Sequence, residues 1–168
     1  EVDSLILALT AYVNFDGIVP LLETGEPIPI HQAAASCGET ADPVKGKSPL
    51  TVFFSKPPIL LREMGKTKRF RDVEIGCYVN QIDTEKDKQF SACTFFLPDN
   101  SVYIAYRGTD TSIVGWKEDF NMSFLPEIPA QSEAVRYLEQ VAELQGRKIR
   151  MGGHSKGGNL AVYAGIKC

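Results

Sequence analysis

Gly153, Ser155 and Gly157, within Gly152-Gly153-His154-Ser155-Lys156-Gly157-Gly158-Asn159-Leu160-Ala161, constrain the fold more than any other stretch. A serine between two glycines at this spacing fits the apex of a sharp turn from a strand into a helix, where a Cβ two residues before or after it would strike neighbouring backbone. The flanks agree. Lys148-Ile149-Arg150-Met151 reads as a short strand running into glycine, and Asn159 to Ile166 is apolar on nearly all sides, as a buried helix is. The N-terminus of that helix then directs unpaired N–H groups and the positive end of its dipole at negative charge developing beside the serine. A glycine-rich strand–helix turn can also cradle a phosphate. The Gly-x-x-x-x-Gly-Lys-Ser/Thr spacing of a phosphate loop is absent, however.

A chain of 168 residues, 43% hydrophobic and 23% charged, is the size of one domain with a sizeable core. Its net charge of −3 gives no reason to expect nucleic acid or an anionic membrane surface as a partner. Cys37, Cys77, Cys93 and Cys168 form no Cys-x-x-Cys pair and have no histidine cluster beside them. The pattern argues against zinc and for free thiols, and no metal or cofactor is expected. Glu1-Val2-Asp3-Ser4 lacks a basic leader, and no apolar run approaches the roughly 18 residues of a membrane helix, so a cytoplasmic setting is expected.

Leu5, Ile6, Ala8, Leu9, Tyr12 and Val13 mark a helix over residues 3–15, capped by Asp3 or Ser4 and closed by Gly17. Residues 20–58, with prolines at 20, 27, 29, 43, 49, 57 and 58, read as an irregular arm or a lid. Pro57-Pro58 is placed at the start of a short helix carrying Ile59, Leu60, Leu61 and Met64 and ending at Gly65. The period then changes. Val73, Ile75, Cys77 and Val79 alternate with Glu74, Gly76, Tyr78 and Asn80 as a half-buried strand. Phe90 to Leu97 and Ser101 to Arg107 are two more strands, joined through Pro98-Asp99-Asn100 as an antiparallel hairpin. Residues 131–145 are helical, with Ala134, Leu138, Val141 and Ala142 on the core face and Gly146 as the stop. The order is α/β, with an antiparallel entry followed by strand, turn and helix.

Tyr106-Arg107-Gly108-Thr109, then Trp116-Lys117-Glu118-Asp119-Phe120, then Gly-His-Ser-x-Gly-Gly together resemble the class 3 lipase branch of the α/β-hydrolases over roughly Asp72 to Ala164. Gly115 to Asn121 with Gly-His-Ser-Lys-Gly-Gly-Asn-Leu-Ala is most similar to a group of uncharacterised bacterial lipase-like proteins. The resemblance implies an α/β-hydrolase fold with Ser155 as nucleophile on an elbow formed by Gly153, His154 and Gly157. It also implies an oxyanion hole from the backbone N–H groups of Thr109 and Lys156, with Asp119 holding the Thr109 hydroxyl. Lys156 departs from the bulky apolar residue common after the serine in class 3 lipases, which weighs against a long-acyl substrate. Its side chain is expected in solvent, the alternative being recognition of an anionic substrate group. Arg107 and Asp110 are expected to pair locally, the alternative being contact with substrate charge.

A serine nucleophile needs a general base, usually a histidine oriented by a carboxylate, and in α/β-hydrolases both follow the serine in the chain. No residue after Ser155 is His, Asp or Glu. His154 is read as elbow packing, and His31 precedes every strand. The chain is therefore expected to be the N-terminal portion of a longer hydrolase domain, nearly inactive alone, with a central parallel elbow strand and with further strands, an acid and a histidine beyond Cys168. The expected activity is hydrolysis of a small-molecule ester or lipid through an acyl-enzyme on Ser155. The alternatives are a non-catalytic binding or scaffold protein on the same fold, and an acyltransferase.

Overall fold

The computed structural model describes residues 2–38 and 49–168 as a mixed α/β arrangement. Helix α1 (Val2–Thr10), strand β1 (Ile28–Pro29), helix α2 (Ile30–Ser36) and helix α3 (Pro49–Lys66) precede strands β2 (Glu74–Asp83), β3 (Lys88–Phe96) and β4 (Ser101–Tyr106). Helices α4 (Ile113–Asn121) and α5 (Pro129–Gln145), strand β5 (Lys148–Gly153) and helix α6 (Lys156–Lys167) follow. The five strands lie in sequence order in one sheet. β1 to β4 pair antiparallel, and β5 runs parallel to β4, with Tyr103 opposite Arg150 and Tyr106 opposite Gly153.

The sheet separates two apolar layers. On one face Leu7 and Ala11, Ile30 and Ala33, and Leu61 and Met64 pack against Ile75, Phe95, Tyr103 and Ala105. On the other, Ala134, Tyr137, Leu138 and Val141 of α5 and Leu160, Ala161 and Ala164 of α6 pack against Phe90, Ala92, Val102, Ile104 and Tyr106. β3 and β4 are buried on both faces, which is why Phe90 to Phe96 and Ser101 to Tyr106 lack a clean polar alternation. The β3–β4 hairpin is as expected, with Asn100 at φ 60 in its turn.

Several expectations need correction. The 20–58 region is not irregular throughout: it contains β1, α2 and the first half of α3, while 39–48 lie outside the described residues. Pro57 and Pro58 stand inside α3, and Gly65 is helical rather than terminal. Each proline removes one i→i−4 hydrogen bond. Burial of Leu61 and Met64 against α1 and α2 offsets that loss.

The alternation expected in β2 fails at a bulge between Gly76 and Val79, where Cys77 has φ 52. The extra residue switches the facing of the strand, so Ile75 and Tyr78 join one apolar layer and Cys77 and Val79 the other. In α5, Tyr137 is buried and Ala142 is exposed. α6 is not buried all round, because Val162 and Ile166 are exposed. β5 is parallel as expected, but it forms the edge of the sheet among the described residues rather than its centre.

Candidate active site

β5 delivers the chain to Ser155, whose φ of 56 and ψ of −127 are outside every conformation that a non-glycine residue favours. Such a backbone is held only when its surroundings over-determine it. Here the turn is closed by Gly157 N–H donating to the His154 carbonyl at 3.0 Å and by Gly158 N–H donating to the Ser155 carbonyl at 2.9 Å. The glycines are required by space. A Cβ on Gly153 would overlap the Gly157 carbonyl group, and one on Gly157 would land on the Tyr106 carbonyl. The end of β4 is thus in backbone contact with the start of α6. The side chain of Ser155 is exposed.

The loop after β4 lies against the same turn. A Cβ on Gly108 would come within 2.5 Å of the His154 carbonyl oxygen, so the Arg107-Gly108-Thr109 segment passes directly over the elbow. Thr109 Oγ1 donates to Asp119 Oδ2 at 2.6 Å, the contact implied for these two residues. Asp119 belongs to α4, whose first turn is fixed to the loop. Ser112 Oγ accepts from Gly115 N–H at 3.0 Å, and Asp110 Oδ1 accepts from Ser112 N–H at 2.8 Å. Arg107 stands 3.5 Å from Asp110 Oδ2 and donates to Asn80 Oδ1 at 3.0 Å, so the expected local pairing is present. Among the described residues, neither the Thr109 nor the Lys156 backbone N–H donates to a protein acceptor. Both main-chain donors are therefore without a protein acceptor, and the Ser155 side chain is exposed.

The side chain of Lys156 is not in solvent, contrary to expectation. Its Nζ donates to Glu118 Oε2 at 2.7 Å and to the Gln89 carbonyl and Gln89 Oε1 at 2.9 Å each. Both the Lys156 and the Glu118 side chains are 0% exposed. Burial of an unpaired ammonium would be prohibitive, and the carboxylate with two amide oxygens replaces its water shell. The second oxygen of Glu118 accepts from Ala130 N–H at 2.9 Å, at the start of α5. Glu118 and Gln89 were not assigned roles from the sequence. The stripe Ile113, Trp116 and Phe120 lies on the exposed face of α4.

His154 is at the apex and exposed, its ring centroid 5.2 Å from Phe53 and 5.9 Å from Tyr12. His31 is elsewhere, with Nδ1 2.9 Å from the Arg71 carbonyl. Neither histidine is hydrogen-bonded to Ser155. A cleft of about 430 Å³ lined by Tyr78, Asn80, Phe90, Glu133 and Tyr137 shares no residue with the elbow. Among the described residues no group of His, Cys, Asp or Glu could hold a metal ion, and no helix is long and apolar enough to cross a membrane.

A family model, Mbeg1-like, matches residues 64–168, more than half of the chain and all of the elements from β2 to α6. The chain belongs to the Mbeg1-like family. The match takes in the Arg107-Gly108-Thr109 loop, α4 and the elbow, so every residue of the candidate site except Tyr12 and Phe53 lies in the Mbeg1-like region. No curated protein and no solved structure matches the chain.

Proposed function

We propose that this Mbeg1-like chain carries the nucleophile and oxyanion hole of a serine hydrolase of carboxylic esters, on an α/β-hydrolase fold of the class 3 lipase type. The observation that carries the reading is the backbone of Ser155, a non-glycine residue at φ 56 and ψ −127 between a parallel strand and a helix N-terminus. Strain of this kind costs roughly 1–3 kcal/mol and is retained where a side chain must be presented at an exposed apex. In the reaction, Ser155 Oγ attacks the ester carbonyl carbon and its proton passes to a general base. The Thr109 and Lys156 N–H groups receive the oxyanion, the alcohol leaves, and water releases the acid from the acyl-enzyme.

The general base is neither His31 nor His154, and loss of the base alone costs a serine protease on the order of 10⁶ in turnover. A serine at this position without a base is accordingly expected to turn over almost nothing. The substrate is a small-molecule ester or lipid, no cofactor takes part, and the free thiols suit a reducing, cytoplasmic setting. A second reading, a binding or scaffold protein that kept the elbow for its packing, is favoured by the engagement of the His154 ring with Tyr12 and Phe53. Labelling the natural full-length protein with a fluorophosphonate separates the two. An adduct on Ser155 that is absent from Ser155→Ala supports the hydrolase, and no adduct on either supports the scaffold.

A further inference from the structure

Two neighbouring carboxylates on α4 each hold one of the two residues assigned to the oxyanion hole. Asp119 accepts from Thr109, and Glu118 accepts from Lys156. From this arrangement we infer that Glu118 is a positioning residue: through the buried Lys156 ammonium it fixes the first turn of α6 and so aims the Lys156 N–H at the oxyanion. The inference rests on the hydrolase reading above and adds to it the means by which both donors are set by one helix.

The geometry leaves the lysine no other task. All three ammonium protons are used within the protein, on Glu118 Oε2, the Gln89 carbonyl and Gln89 Oε1, so none is available to an anionic substrate. The Gln89 amide is turned so that its oxygen meets the ammonium, and its Nε2 is buried without a partner. That arrangement sacrifices one donor to complete the shell around Nζ. Glu118 is satisfied in turn, with Gln89 N–H at 3.1 Å on Oε2 and Ala130 N–H at 2.9 Å on Oε1. The pair therefore joins β3, α4, the start of α5 and the start of α6 at a single point. A main-chain donor works by being aimed before the charge develops, and a small rotation of the first turn of α6 removes that advantage. The carboxylate at 118 touches neither substrate nor nucleophile and acts only through Lys156.

The test uses the natural full-length protein, its Glu118→Gln and Lys156→Met variants and the double variant, which leaves no stranded buried charge. The readouts are the rate of fluorophosphonate labelling at Ser155 per folded molecule, with the folded fraction taken from circular dichroism, and kcat and KM on a short-chain ester. Labelling of Glu118→Gln is expected to be roughly 10-fold or more slower, with kcat falling and KM within about twofold. The double variant is expected to recover thermal stability without recovering labelling, and it decides the matter if Glu118→Gln does not accumulate. Labelling of the folded double variant at the wild-type rate overturns the positioning role while leaving the hydrolase reading intact. A wild-type protein that takes no label overturns that reading and this inference together.

Discussion

The Tyr12 hydroxyl donates to the His154 carbonyl at 3.3 Å and stands 3.1 Å from His154 Nδ1, joining the turn after α1 to the apex of the elbow. Tyr12→Phe keeps the edge contact of the ring with Phe53 at 5.4 Å and removes only the hydroxyl. A loss of about 1 kcal/mol is expected, read as a lower urea midpoint at unchanged m-value.

Ser155→Gly is expected to stabilise the protein while abolishing any nucleophile. Glycine adopts φ 56 and ψ −127 without the penalty borne by serine. Relief of about 1–3 kcal/mol of strain exceeds the roughly 0.5–1 kcal/mol of added chain entropy in the unfolded state. Ser155→Ala retains the strain and should melt close to the wild type. A Ser155→Gly midpoint at or below that of Ser155→Ala would contradict the account.

Glycines within one helix should respond oppositely to alanine. At Gly157 a Cβ meets the Tyr106 carbonyl, backbone that cannot move aside, and a loss of about 3 kcal/mol or more is expected. At Gly165 a Cβ finds Met151 Sδ at 3.6 Å and Met151 Cε at 3.9 Å, both ordinary contacts, and the same change should stabilise by about 0.4–1 kcal/mol. Thermal melts of the two variants settle the comparison.

If the hydrolase reading holds, Thr109→Ala in the full-length protein should lower kcat by about 10² or more with little change in KM, because the Oγ1 link to Asp119 is lost. Thr109→Ser keeps the hydroxyl and should restore most of the rate. A serine variant as slow as the alanine variant would show that the hydroxyl is not what matters.

Burial pushes the Tyr78 and Tyr103 hydroxyls up from 10.0 to about 12, since the phenolate is disfavoured inside the apolar layer. The neutral form is therefore bound more tightly by the folded state. Its contribution is present in full below pH 10 and falls by roughly 1.4 kcal/mol per pH unit for each tyrosine as the pH rises towards 12. Urea midpoints should drop across that window, and tyrosinate absorbance from these two residues should rise together with unfolding. Ionisation of both near pH 10 in a protein that stays folded would refute the assignment.

Local geometry was the most legible part of the chain. Gly153, Ser155 and Gly157 state their own backbone requirement, and the β3–β4 hairpin announces itself through Pro98-Asp99-Asn100. The misreadings share a cause, which is tertiary packing overriding a local rule. Prolines at 57 and 58 mark a helix start by propensity, yet the buried contacts of Leu61 and Met64 carry α3 across them. The bulge at Gly76 to Val79 re-aims Cys77 and Tyr78, and a strict period of two cannot anticipate it. Glu118 was hidden for a different reason. A charged residue on a helix is ordinarily solvated, and an apolar stripe on the opposite face points to the same reading, so nothing local marks Glu118 as buried.

That stripe makes α4 an inside-out helix, with Glu118 buried and its aromatic rings towards water, and it carries Trp116, 55% exposed and the one tryptophan of the sequence. The intrinsic tryptophan emission of the protein thus originates from the helix that holds Thr109 and Lys156. A blue shift would report this face becoming covered, and a change in acrylamide quenching would report α4 leaving the elbow, with no label attached.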